Sequence, residues 1–124
     1  MKAASDITRP PIPNGKAHTS VYRLPQGGGF VWCVASPVDK TLDFDGQVRD
    51  VLATLEARLA AGGADRTRIV KAEVVVTDHD NKPAFDAIWR EWIPDGCGPV
   101  RSFVQSAMPE GDLVEVILTA ALPA

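Results

Sequence analysis

Two charges sit in segments that otherwise alternate like half-buried β-strands. Pro99-Val100-Arg101-Ser102-Phe103-Val104-Gln105 carries Arg101, and Leu113-Val114-Glu115-Val116-Ile117 carries Glu115. Arg101 is a fixed cation and Glu115 an acid–base group. A sheet does not place such groups on an apolar face without a use or a close partner. If the two segments form a hairpin, both charges face the same side and lie next to each other. On pattern alone the pair reads equally as an interfacial salt bridge or as the start of a binding site.

The other residues with chemical potential read more plainly. His18 begins the periodic part of the chain and His79 follows a strand in a polar turn. Neither has a nucleophile beside it, so a histidine-based triad is not expected. Asp78 and Asp80 are placed to cap a helix. Trp89 and Trp92 fall on one helical stripe with Phe85 and Ile88, the spacing of a core face. Cys33 and Cys97 make neither a disulfide framework nor a zinc site, and read as free thiols in a reducing cytoplasm. No His, Cys and Asp cluster is spaced to hold a metal, and no cofactor is expected.

The elements that must position Arg101 and Glu115 follow from periodicity. Residues 1–17 hold three of the ten prolines and little pattern, which predicts a loose arm ahead of a single domain over 18–124. His18–Leu24 reads as a strand, Pro25–Gly29 as a turn, and Phe30–Ala35 as a continuous apolar strand covered on both faces. Val48, Val51, Leu52, Leu55 and Leu59 share one helical face, with Gln47, Arg49, Asp50, Glu56 and Arg58 on the remainder. Asp43 or Asp45 caps that helix, and Gly62-Gly63 stops it. Ile69–Thr77 is β-branched and strand-like. A second helix begins near Asp80-Asn81 with Pro83 in its first turn, and the two charged strands close the chain.

The order is ββαβαββ, an α+β fold with two amphipathic helices on one face of a mixed sheet. The other face stays uncovered, which implies association, most simply by closed symmetry. Composition limits the function. The chain has 124 residues, 45% hydrophobic and 23% charged, with net charge −3, so one soluble domain is expected. The acidic balance argues against a nucleic-acid backbone binder. No apolar run approaches a membrane span, and Met1–Asn14 lacks the apolar centre of a secretory signal.

From about His18 to Ala121 the chain resembles the RidA/YjgF family of imine and enamine deaminases, formerly labelled L-PSP endoribonucleases. The resemblance rests on Gly46-Gln47-Val48-Arg49, Leu55-Glu56, Gly62-Gly63, Ile69-Val70-Lys71 through Val76-Thr77-Asp78, Phe85 to Trp92, Pro99-Val100-Arg101-Ser102 and Leu113-Val114-Glu115-Val116. It implies a chorismate-mutase-like homotrimer, its sheets forming an inner barrel with the helices outside, and an active site in each cleft between subunits. It also implies that Arg101 grips a substrate carboxylate and that Glu115 orients or deprotonates the attacking water. The chemistry suits the residue types: a guanidinium offers a carboxylate two parallel charge-assisted bonds and keeps its proton. The implied activity is that of a 2-iminobutanoate/2-iminopropanoate-type deaminase, a hydrolase of C=N bonds.

The chain departs from the family pattern at the pocket. Val34-Ala35-Ser36 stands where members often carry Ser-Gly-Gln, so the pocket should be narrower and less polar there. Phe103 replaces a cysteine and should crowd the pocket floor, and Asp86 replaces an asparagine. Val34, Ala35, Phe103 and Asp86 are therefore expected beside the substrate. Three functions follow. The first is deamination of a small carboxylate-bearing imine. The second is a non-catalytic module binding a carboxylate or keto acid, favoured by the narrowing. The third is RNA cleavage, disfavoured by the acidic charge and the missing basic patch.

Overall fold

Each helix and strand forms where its apolar period is strongest. The computed structural model describes residues 1–124 and contains, in chain order, β1 (Ile7–Thr8), β2 (Pro11–Ile12), β3 (Lys16–Ala17), β4 (Thr19–Arg23), β5 (Gly29–Ala35), α1 (Phe44–Gly62), β6 (Ile69–Val76), α2 (Lys82–Trp92), β7 (Val100–Gln105) and β8 (Val114–Ala121). From β4 onward this is the expected ββαβαββ order. Six strands form one sheet in the order β1-β4-β5-β8-β6-β7, mixed because β7 runs parallel to β6 while the other pairs are antiparallel. No helix is long and apolar enough to cross a membrane.

Residues 1–17, expected as a loose arm, carry more structure than their composition suggests. β1 pairs with β4 through Ile7↔Tyr22 and Thr8↔Val21, and β2 and β3 form a small ladder closed by Asn14 and Gly15 at positive φ. Backbone pairing with an existing edge stabilises a segment that has no apolar period of its own.

Both helices lie on one face. α1 begins at Asp43, whose carboxylate accepts a hydrogen bond from the Gly46 N–H at 2.9 Å, and ends at Gly63 with φ 95°. A residue with a Cβ would be strained there, so the helix stops where glycine permits the reversal. Val48, Val51, Leu52, Leu55 and Leu59 are all buried, as their spacing predicts. They meet Val31 and Cys33 of β5, Ala72, Val74 and Val76 of β6, and Val114, Val116, Leu118 and Ala120 of β8, all members of one core. Phe85, Ile88 and Trp89 add the buried stripe of α2. Phe85 and Trp89 stack with ring centroids 5.6 Å apart.

The opposite face has no covering element within the chain. Contrary to the expectation for β5, only one of its faces is covered: Val31, Cys33 and Ala35 are buried while Phe30 and Trp32 are about 40% exposed, at 40% and 39%. Val70 and Val104 share this exposure.

The expected hairpin between the last two strands does not form. β8 inserts between β5 and β6, and β6 separates it from β7. α2 is the crossover that makes β7 parallel to β6, since parallel neighbours need a long connection. The alternating buried residues of β8 suit it to the sheet centre, whereas β7 carries Arg101 and fits an edge, where one flank remains open.

Candidate active site: two half-sites

The strand register fixes where the two charges point. Arg101 pairs with Ala72, a buried residue on the helix-covered face, so Arg101 and Phe103 project to that side. Glu115 pairs with Val75, whose neighbours Val74 and Val76 are buried, so Glu115 projects to the open side. The expectation that both charges share a face is therefore wrong within one chain. They are also two strand spacings apart laterally, about 10 Å, and offset along β6 by the distance from Ala72 to Val75, about another 10 Å. A strict period of two means that an intervening strand and an odd offset reverse the face.

The structure groups the candidates into two clusters. The first surrounds Arg101. Its side chain is 17% exposed and its Nη2 donates to Asp86 Oδ1 at 2.6 Å. Lys82 donates from the previous turn of α2 to Asp86 Oδ2 at 3.0 Å, an i,i+4 pair. Three rings wall the guanidinium: Phe85, Trp89 and Phe103, with centroids 5.3, 5.8 and 5.6 Å from Cζ. Such rings attract a cation and restrict its rotation. Partial burial opposes the charge on Asp86, but the bonds from Lys82 and Arg101 outweigh it and hold its carboxyl below the ordinary carboxylate range. A cleft of about 400 Å³ opens beside the pair, lined by Asp86, Trp89, Arg90, Asp95 and Arg101 among others.

Phe103 does not line this cleft as the floor that the sequence predicts. It packs edge-on against Phe85 at 5.4 Å and His79 at 5.2 Å, and its contribution is to fix the guanidinium from behind.

The second cluster surrounds Glu115. A cleft of about 430 Å³ is lined by Glu115, Val34, Ser36, Lys16, His18 and Arg58 with neighbouring loop residues. The Ser36 hydroxyl donates to Glu115 Oε1 across 3.5 Å. Val34 faces the open side beside Ile117, as its register requires, and lines this cleft. Ala35 also borders it, but its side chain is 2% exposed and belongs to the core, so its methyl does not narrow the pocket. Beneath the strand, burial pushes the Cys33 thiol up to about 11 despite the nearby Arg58 charge, so this cysteine is inert at neutral pH.

Several residues at these clefts were not singled out by the sequence. Arg58 falls among the polar remainder of α1, yet its Nη1 donates to the Val34 carbonyl and its side chain borders the Glu115 cleft. Lys16 arrives from the segment before β4, whose path no periodicity predicts, and borders the cleft with His18, which the sequence reads only as the start of a strand. Gln47 is 1% exposed and ties the approach to β8: its Nε2 donates to the Gly111 carbonyl at 2.8 Å and its Oε1 accepts from the Leu113 N–H at 2.8 Å. Lys82 did have a readable signal, its spacing of four from Asp86. No three His, Cys, Asp or Glu side chains gather as metal ligands would.

The fold is α+β, with two helices on one face of a mixed sheet and a cleft beside each of the two charged residues. Comparison with known proteins identifies its family. The family model described as Endoribonuclease L-PSP matches residues 35–122, well over half the chain. A RutC family protein of Haemophilus ducreyi is 25% identical over 117 residues, spanning 94% of this chain and 97% of that protein. The RutC family protein YoaB of Escherichia coli is 30% identical over 88 residues, spanning 68% and 77%. A YjgF-family structure from Neisseria meningitidis superposes with a TM-score of 0.85 at 21% identity, over 96% of this chain and 97% of that one, and shares the fold. The chain belongs to the YjgF/RidA family.

Proposed function

We propose that the protein hydrolyses carboxylate-bearing imines and enamines to a keto acid and ammonia, at sites completed between copies of the chain. The observation that carries this reading is the division of the machinery. Arg101 is half-sequestered beside one cleft with only its Nη2 engaged by a carboxylate of the chain, and Glu115 borders another cleft on the opposite face. Neither cleft holds both groups. The uncovered face with Phe30, Trp32 and Val104 gives copies a surface to bury, and closed association in threes, as the family resemblance implies, would bring one chain's β7 edge to another chain's Glu115 cleft.

In this reading the remaining guanidinium donors hold the substrate carboxylate and fix the C=N carbon in place. Glu115 takes a proton from water as the water oxygen bonds to that carbon, and passes the same proton to the imine nitrogen to leave a carbinolamine. Glu115 then takes the hydroxyl proton and gives it to the amine nitrogen as the C–N bond breaks, so ammonia leaves and the carbonyl remains. The chain's own residues carry out each proton transfer.

Mixing two inactive variants tests the reading. Arg101→Ala and Glu115→Gln are each expected to lose ammonia release from enzymatically generated imines. Co-refolding them in equal amounts should restore up to about a quarter of the wild-type rate, because random association joins an intact Arg101 to an intact Glu115 at about one interface in four. No recovery in well-assembled mixtures would overturn the shared site.

The second reading, a module that binds a keto acid without turnover, draws on one observation: Asp86 already occupies part of Arg101. Calorimetry with a 2-keto acid, run beside the ammonia assay, selects it if binding occurs without turnover while Glu115 is intact. RNA cleavage, which the family model's description suggests, is disfavoured by the net charge of −3.

A further inference from the structure

We propose that Asp86 is the specificity-determining residue of the Arg101 cleft, making it select zwitterionic imino or amino acids over purely anionic 2-keto acids. This rests on the reading that Arg101 receives a substrate carboxylate, and goes further by naming the charge pattern of the substrate.

Asp86 is only partly coordinated by its own chain. A carboxylate has about four acceptor positions. Here Arg101 takes one on Oδ1 and Lys82 one on Oδ2. The remaining acceptor capacity belongs to a side chain that lines the cleft together with Arg101. The cleft thus presents a cationic donor and an anionic acceptor side by side, 2.6 Å apart. An α-imino acid in its iminium form presents the complement: a carboxylate and, across one carbon, a nitrogen bearing hydrogen. Its carboxylate meets the free donors of Arg101 and its N–H meets Asp86. The wider lining repeats the balance, with Arg90 and Asp95 adding one charge of each sign.

A 2-keto acid fits less well. Its carboxylate still meets Arg101, but its ketone oxygen is an acceptor facing another acceptor. The repulsion between its carboxylate and Asp86 is not offset by any N–H facing Asp86, as it is for the imino acid. The site therefore discriminates between substrate and product of the deamination, holding the nitrogen-bearing form and releasing the keto acid. Lys82 tempers this by sharing the Asp86 charge. The selection comes from a repulsive element as much as from an attractive one.

Calorimetry with L-alanine and pyruvate tests this, because the two share a carbon skeleton and differ in the nitrogen. The wild-type protein should favour alanine over pyruvate. Asp86→Asn should shift that ratio toward pyruvate by about tenfold, equivalent to about 1.4 kcal/mol. Lys82→Met, which leaves the Asp86 charge less shared, should shift it the other way. A ratio that stays within about twofold in both variants, while Arg101→Ala abolishes both bindings, would overturn the role of Asp86 and leave the carboxylate grip standing. Failure of both ligands to bind the wild-type protein and both the Asp86 and Lys82 variants would overturn the selectivity together with the reading it rests on.

Discussion

The two clefts are built to different specifications. Around Arg101 the groups that hold the guanidinium come from regular elements: α2 supplies Asp86 and Lys82 one turn apart, β7 supplies Arg101 and Phe103 two residues apart, aromatic rings close the back, and the loop after α2 lines only the rim. Around Glu115 the walls come from the Ser36–Val38 loop, the segment before β4, and one residue of α1, and the glutamate has a single long contact to Ser36. The difference matches the tasks proposed. A group that grips must be held by short bonds and packed rings, because freedom there is lost on binding. A group that moves protons needs room for water and few competing bonds.

Loss of either charged group breaks the comparison most sharply. Arg101→Ala and Glu115→Gln should each lower the deamination rate by about a hundredfold or more, but only Arg101→Ala should also abolish carboxylate binding in calorimetry. Equal loss of binding in both variants would show that the two clefts do not divide the work.

The open face offers the next test. Replacing Trp32 with Glu places a charge among Phe30 and the exposed strand residues without touching the core. Sedimentation should then show the single chain in place of an assembly, with activity lost because the half-sites no longer meet. An unchanged sedimentation profile would remove the open face as the contact surface.

Gln47→Ala probes the Glu115 side through the backbone. It removes the partner of the half-buried Leu113 N–H and of the Gly111 carbonyl, and should lower unfolding stability by about 1 kcal/mol in a denaturant titration. The effect on rate should exceed the effect on carboxylate binding, since Gln47 orders the approach to β8 and not the Arg101 cleft.

The smallest effect expected is in alkaline solution. The Cys33 thiol is raised from 9.0 to about 11 by burial, so the folded chain keeps a proton that the unfolded chain releases. Its contribution to stability is complete below pH 9.0 and declines as pH rises toward about 11. Cys33→Ala should flatten that decline, which thermal unfolding at successive pH values measures. At neutral pH a thiol reagent should modify Cys97 and leave Cys33 intact in the native protein.

Much of this architecture was readable before any coordinates. The helical face from Val48 to Leu59, the Gly62-Gly63 stop, the Asp43 cap and the order of the main elements all follow from local chemistry, because periodicity, caps and glycine conformations act within a few residues. The departures have long-range causes. Gln47 reads as a surface residue because its partners, Gly111 and Leu113, are distant in sequence. The segment before β4 is ordered by an edge that composition cannot reveal. Arg58 borders the Glu115 cleft only because α1 crosses the end of β5.

The residue types and alternation by themselves determined that Arg101 and Glu115 sit in strands, that two helices cover one sheet face and that the other lies bare. Only the tertiary structure decided that β6 runs between the two charged strands. A side chain's face depends on its neighbour's register as well as its own period. A pattern within one strand therefore tells which residues share a side, and the sheet order tells which strands' sides coincide. Here that order sends the guanidinium and the carboxylate to opposite faces.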